Sequence, residues 1–178
     1  MGKALAAAGI PYMIIGGQAV LPYGEPRLTR GIDITLGLGV DRWRQIVNLA
    51  GRLHLDLLTK TPAVFVQETY VLPAVEPKSG VRIDFIFSHT AYERRAIKRA
   101  NRVKIEDGRI RFAAVEDIIV HKIVAGRARD IDDVKNIVVK NPRFDCRYVK
   151  RWLRKFESLS DQKNLVASFK RILQDRKP

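Results

Sequence analysis

The run YMIIGGQAVLPYGEPRLTRGIDIT, from Tyr12 to Thr35, decides how the rest of the chain is read. An apolar segment, Tyr12 to Ile15, ends in Gly16-Gly17. A short Ala/Val/Leu segment follows, then a loop punctuated by Pro and Gly. A second apolar run, Ile32, Ile34 and Leu36, carries Asp33 in its middle. This pattern predicts a strand, a glycine turn, a short helix over Gln18–Leu21, and a second strand over Ile32–Leu36. Glycines let backbone N–H groups approach a phosphate closely. An acid on the neighbouring strand is placed to hold a divalent metal against that phosphate.

Outward from this stretch, the segments alternate between helix and strand periods. Lys3–Ala8 reads as a helix stopped by Gly9-Ile10-Pro11. Asp41 is a candidate N-cap for a helix to about Leu53. Ala63–Val66 and Tyr70–Val75 read as strands. Val81–Phe87 is a strong strand, apolar except at Arg82 and Asp84. An acid in such a strand is costly unless solvated, paired or metal-bound. Asp84 therefore lies on an open face, pairs with a nearby Arg, or belongs to a site. Thr90-x-x-Glu93 is a capping-box signature for a helix through Ala100. Arg102–Glu106 and Arg109–Ala113 alternate as a hairpin around Asp107-Gly108, which predicts a type I′ turn.

Val115 to Val139 carries two helical stripes, Ile119/Val120/Ile123/Val124 and Ile131/Val134/Ile137/Val138, joined at Ala125 to Arg129. Asp130 is placed to cap the second helix, with Asp133 in its first turn, and that alone accounts for both acids. Asp145 is a candidate cap for a helix to about Glu157. One face of that helix is apolar and the other holds Arg147, Lys150, Arg151, Arg154 and Lys155, either a solvated ridge or a polyanion contact. Ser160 to Gln174 reads as a last amphipathic helix.

With 178 residues, 46% hydrophobic and 29% charged, the chain has the composition of one globular domain, or one with a small appendage. No apolar run approaches ~18 residues, so no membrane span or membrane partner is expected. The N-terminal apolar stretch is too short for a secretory signal, which makes a cytoplasmic location the expectation. Cys146 is the single cysteine, excluding an intramolecular disulfide. His54, His89 and His121 show no zinc spacing. No P-loop or nucleophile-elbow motif is present. The net charge of +14 predicts attraction to nucleic acid, nucleotides or an acidic partner.

The chain resembles the nucleotidyltransferase superfamily that includes DNA polymerase beta, and within it the small prokaryotic enzymes of the abortive-infection toxin type. Their pattern is a Gly-Gly or Gly-Ser turn followed by Arg-x-Thr-x-Asp-x-Asp. Here the match is Gly16-Gly17 with Arg27, Thr29, Gly31 and Asp33. A second pattern, Glu-Asp-hydrophobic-x-x-x-Lys then Gly-Arg-x-x-Asp-x-x-Asp, matches Glu116, Asp117, Lys122, Gly126, Arg127, Asp130 and Asp133. The likeness covers roughly Ile10 to Phe156. It implies an α+β nucleotidyltransferase fold, a mixed β-sheet flanked by helices with a C-terminal helical segment. Residues 1–113 would form the catalytic core and 114–178 a helical part packed on it.

The implied activity is Mg²⁺-dependent transfer of NMP from an NTP to an RNA, tRNA-like, or protein acceptor, in a toxin with an antitoxin partner. The implied metal ligands are Asp33 and Asp84, joined by Lys122 and Asp130 as catalytic residues. Gly16, Gly17, Arg27, Thr29, Lys122 and Arg127 would bind the nucleotide. Gly31 stands where the family has its first metal acid. Two Mg²⁺ ions roughly 3.5–4 Å apart need several carboxylates, so the two-metal site is expected to be weakened. Either a nearby acid such as Glu25 substitutes, or the chain binds nucleotide with little catalysis, or the residue was changed to inactivate a toxic enzyme. The competing class is a catalytically weak module that binds RNA or a partner protein.

Overall fold

The computed structural model describes residues 1–26, 28–29, 31–105, 108–161 and 163–175. Its contacts divide the chain into two units: Met1–Gln18 with Leu28–Ala113, and Ala19–Arg27 with Ala114–Pro178.

The first unit is built on a mixed seven-stranded sheet. Its strands are β1 (Tyr12–Ile15), β2 (Gly31–Leu36), β3 (Asp56–Leu57), β4 (Val71–Val75), β5 (Arg82–Phe87), β6 (Asn101–Ile105) and β7 (Gly108–Phe112). They lie in the order β3-β4-β5-β2-β1-β7-β6. β2 is central, antiparallel to β1 and parallel to β5. Helices α1 (Gly2–Ala7), α2 (Trp43–Arg52), α3 (Pro62–Thr69) and α4 (Ala91–Arg99) pack along these strands.

Period-two alternation sorts the central strands. Ile34 and Leu36 of β2 sit beside Phe85 and Phe87 of β5, and all four are buried. The intervening residues face the other way: Gly31, Asp33 and Thr35 beside Arg82, Asp84 and Ile86. Burying the apolar set contributes about 1.5–3 kcal/mol per large side chain. It therefore locks the register, because a one-residue slip would put the acids into the core. The mixed sheet with flanking helices agrees with the α+β expectation.

Several local expectations are corrected. Ala63–Val66 is helical, within α3. Pro62 at its start presets the helical φ, and a missing N–H costs nothing there. The Thr61-Pro62 pair outweighed the β-branched run. Asp41 caps nothing: it sits in a 3-10 turn, Val40–Arg42, ahead of α2. Gln18–Val20 is likewise a 3-10 turn, one residue shorter than the expected helix. The capping box at Thr90 is present in full: Thr90 Oγ1 accepts from the Glu93 N–H at 3.1 Å, and the Glu93 carboxylate accepts from the Thr90 N–H at 2.8 Å. The hairpin β6–β7 forms; of the expected Asp107-Gly108 turn, Gly108 instead opens β7 opposite Ile105, and Asp107 lies outside the described residues.

The second unit is helical: α5 (Val115–Ala125), α6 (Ala128–Lys140), α7 (Cys146–Leu159) and α8 (Leu165–Gln174). α5 packs on α6, α7 and α8. Asp145 caps α7 as expected, accepting from the N–H groups of Arg147 and Tyr148. α8 begins at Leu165 rather than Ser160, after Asn164 in the left-handed region (φ 67). Asn141 Nδ2 donates to Tyr23 O at 2.7 Å and Lys140 Nζ to Gly24 O at 3.2 Å, which ties the segment after Ala19 to α6.

Candidate active site

In the first unit, Asp33 and Asp84 are direct partners across the parallel pair β2–β5, so both side chains leave the same face. Both are only part-buried. β1 places Ile15 opposite Asp33, and the chain turns immediately afterwards at Gly16. Gly16 has φ +66, and a Cβ there would overlap Asp33 Oδ2. The glycine is thus required twice, by the left-handed backbone and by the carboxylate lying against it. Gly17 completes the turn. Thr29 Oγ1 accepts a hydrogen bond from Gln18 Nε2 at 2.6 Å, joining the ends of the loop before β2. Arg27 falls outside the described residues.

Arg82, two residues before Asp84 on β5, donates from Nε to both of its carboxylate oxygens, at 2.9 and 3.1 Å. Sequence reasoning left this pairing open. The signal for it was i, i+2 spacing on one strand, which puts both side chains on one face. Gly31 is the β5 partner of Arg82, and a Cβ on it would come 2.8 Å from Arg82 O. The family's first acid is therefore missing from a position where strand β5 approaches too closely for a side chain. Glu25, the possible substitute, pairs with Lys140 in the second unit.

The pair Asp33–Asp84 suits one divalent cation, since Mg²⁺ is usually held by one or two carboxylates together with substrate phosphates. A second ion calls for further carboxylates. Among the described residues, no group of three His, Cys, Asp or Glu side chains is arranged to hold a metal.

In the second unit, the α5–α6 corner gathers the other matched residues. Gly126 (φ 66) ends α5, its N–H donating to Lys122 O at 3.0 Å, and Arg127 takes the N-cap position of α6. Asp130 is accordingly inside the first turn of α6 rather than its cap. Lys122, which the resemblance makes a nucleotide contact, is 4% exposed. Its ammonium lies 2.9 Å from Asp130 Oδ1 and 2.7 Å from Asp133 Oδ2. Arg127 Nε donates to the other Asp130 oxygen. Burial pushes the Asp130 carboxyl up, but the hydrogen bonds from Arg127 and Lys122 and their charges prevail and hold it below its ordinary value. Two further matched residues brace the helices: Tyr148 Oη donates to Asp117 Oδ1 at 2.7 Å, and the Asp145 N–H donates to Glu116 Oε1 at 3.0 Å. Asp133, which the second pattern matches without giving it a role, is a full partner of Lys122. Each of the two clusters lies within one unit.

The profile of a family described as nucleotidyl transferase of unknown function (DUF2204) matches residues 66–171. That span contains Asp84 and the whole α5–α6 cluster. Among solved structures, the chain is similar to a nucleotidyltransferase-like antigenic protein from Paracoccidioides brasiliensis, with a TM-score of 0.55 and 15% identity over 95% of this chain and 88% of that one. It is also similar to the lincosamide antibiotic adenylyltransferase LnuA, solved with lincomycin bound, with a TM-score of 0.52 and 13% identity over 76% of this chain and 90% of that one. At these identities the likeness is one of fold. No curated protein matches the chain in sequence.

Proposed function

The chain belongs to the DUF2204 family of nucleotidyl transferases, and from that premise we propose that it moves NMP from an NTP to an RNA acceptor at the Asp33–Asp84 pair. The observation that carries this reading is the register: two part-exposed carboxylates side by side, with a glycine turn folded against one of them. Asp33 and Asp84 would hold one Mg²⁺, which when bound polarises the α-phosphate and offsets pyrophosphate charge. Gly16 and Gly17 keep the backbone low enough for N–H groups to meet the triphosphate. Thr29, whose oxygen accepts from Gln18, keeps its hydroxyl proton to donate to a phosphate oxygen. Arg27 supplies a guanidinium for bidentate phosphate contact. Lys122, Arg127 and Asp130 contribute chiefly by fixing the α5–α6 corner, because the Lys122 ammonium already has two carboxylate partners.

RNA is favoured as acceptor by the net charge of +14 and by the basic ridge of α7. Among the described residues, no carboxylate pairs with Arg147, Lys150, Arg151, Arg154 or Lys155. Arg151 and Lys155 instead lie over the Tyr148 and Trp152 rings, at 5.3 and 5.2 Å. A small hydroxylated acceptor is the second reading, since the similar lincosamide adenylyltransferase was solved with lincomycin bound. The toxin role that the resemblance implies is tested by growth on induction, where arrest relieved by Asp33→Asn is the expected outcome.

The direct test is transfer of α-labelled nucleotide. Each NTP is incubated with the protein, Mg²⁺ and total cellular RNA, beside Asp33→Asn. Label on RNA that vanishes in the variant is expected. Absence of label with every NTP and every acceptor tried would leave the binding-module reading in its place.

A further inference from the structure

We propose that Arg82 is a guanidinium latch on the acid pair: in the free protein it holds Asp84, and a triphosphate draws it away, so that cation binding and phosphate binding at this site are coupled through one side chain. The inference rests on the transferase reading and adds a residue that neither matched pattern contains.

Three observations meet at Arg82. Its Nε reaches both Asp84 oxygens, the electron pairs that a cation on Asp84 would need. Its backbone stands directly across from Gly31, where a side chain would run into Arg82 O at 2.8 Å and approach Arg82 Cβ at 3.3 Å. The contacts that crowd position 31 are with the Arg82 backbone and Cβ, so the missing carboxylate follows from the strand spacing, and the guanidinium is the charge that stands beside Asp84 instead. An organic cation thus lies in the neighbourhood in which the family pattern has an acid. Finally, the Arg82 side chain is 55% exposed and that of Asp84 is 22% exposed. An ion pair this open is weak and exchanges easily.

Nε carries the bond to Asp84, and the terminal guanidinium nitrogens donate to no described residue. A planar fork with spare N–H groups beside two carboxylates is suited to phosphate, which it binds bidentately. When the guanidinium moves to phosphate, Asp84 is freed for a cation at the moment the phosphate's negative charge also favours one. Without phosphate, the guanidinium competes for Asp84 and repels an incoming cation.

The test uses the full chain and two probes that need no knowledge of the base: Mn²⁺ alone, followed by the paramagnetic resonance of the free ion, and inorganic triphosphate alone, followed by calorimetry. Arg82→Gln is expected to bind Mn²⁺ about three- to fivefold more tightly than the parent, the scale of an exposed ion pair removed. The same variant is expected to bind triphosphate about tenfold more weakly, the scale of a lost charge-assisted hydrogen bond. A merely structural role does not move the two affinities in opposite directions. Arg82→Lys, which keeps the charge and loses the fork, should fall between for triphosphate and stay near the parent for Mn²⁺. Unchanged Mn²⁺ affinity or unchanged triphosphate affinity in folded Arg82→Gln overturns the latch. Asp33→Asn separates this from the premise: it should abolish the Mn²⁺ site in both backgrounds. If it does so while Arg82→Gln changes nothing, the acid pair stands and the latch falls. If Mn²⁺ binding ignores Asp33, the acid-pair reading itself falls, and the latch with it.

Discussion

The acid pair on β2–β5 and the cluster at the α5–α6 corner use the same kinds of residue to opposite ends. At the corner, Lys122, Asp130 and Asp133 have side chains 5, 4 and 8% exposed, and the lysine satisfies both acids. On the strands, Asp84 and Arg82 keep 22 and 55% of their side chains open. A buried cluster of matched charges is held by the penalty of separating them, which makes it a fixed part of the fold. An open pair on a sheet face is worth about 0–1 kcal/mol and can trade partners with a ligand. Burial, rather than residue type, therefore marks which charges are free to act.

Lys122→Met should break the corner most severely. It leaves Asp133 without its ammonium in a buried setting, and a loss of about 3–5 kcal/mol in unfolding free energy is expected in urea titration. A loss under ~1 kcal/mol would mean the cluster is wetter than its exposure indicates. Asp33→Asn should show the opposite balance. Stability should change by about 1 kcal/mol, well below the loss at Lys122. Transfer of label should fall about a hundredfold or more, as when a principal electrostatic group is removed. Equal losses of stability and activity would erase the contrast between the two regions.

Gly31→Asp sharpens the comparison from the other side. Restoring the family's acid looks like a gain of function in sequence, but the new Cβ meets Arg82 O at 2.8 Å. The expected result is a destabilisation of about 1–3 kcal/mol from overpacking, read as a lower melting temperature. Any gain in labelled product would appear only against that loss. Gly31→Ala, which adds the Cβ without the charge, should show the same destabilisation.

The smallest effect concerns pH. Asp130 has its carboxyl held below the ordinary range, with burial opposing and Arg127 and Lys122 prevailing. As pH falls, the unfolded chain takes up this proton before the folded chain does. The contribution to stability is therefore complete above the ordinary carboxylate range and is lost as pH drops through it toward the lowered value. The urea midpoint should decline from about pH 5 downward, and Asp130→Asn should flatten that part of the profile. A decline of equal steepness in the variant would assign the acid limb to other groups.

Much of the chain was legible because the deciding interactions are local. The Thr90 box joins residues three apart, Asp145 caps the helix it precedes, and the alternation in Val81–Phe87 names its buried face without reference to any other strand. Misreadings arose where two local signals competed, as when the β-branched run after Pro62 hid a helix start. The sequence by itself determined the strand–glycine–strand stretch, the α+β class, and the acids and cations available for chemistry. Only the tertiary structure decided that Asp33 stands beside Asp84, that Gly31 faces a strand too close for a side chain, and that Lys122 is buried between two carboxylates. The first two facts depend on which strand lies next to which, and on how closely, and the third on how α5 packs on α6. Neighbour choice in a mixed sheet is set by burial summed over many residues, so no single motif encodes it.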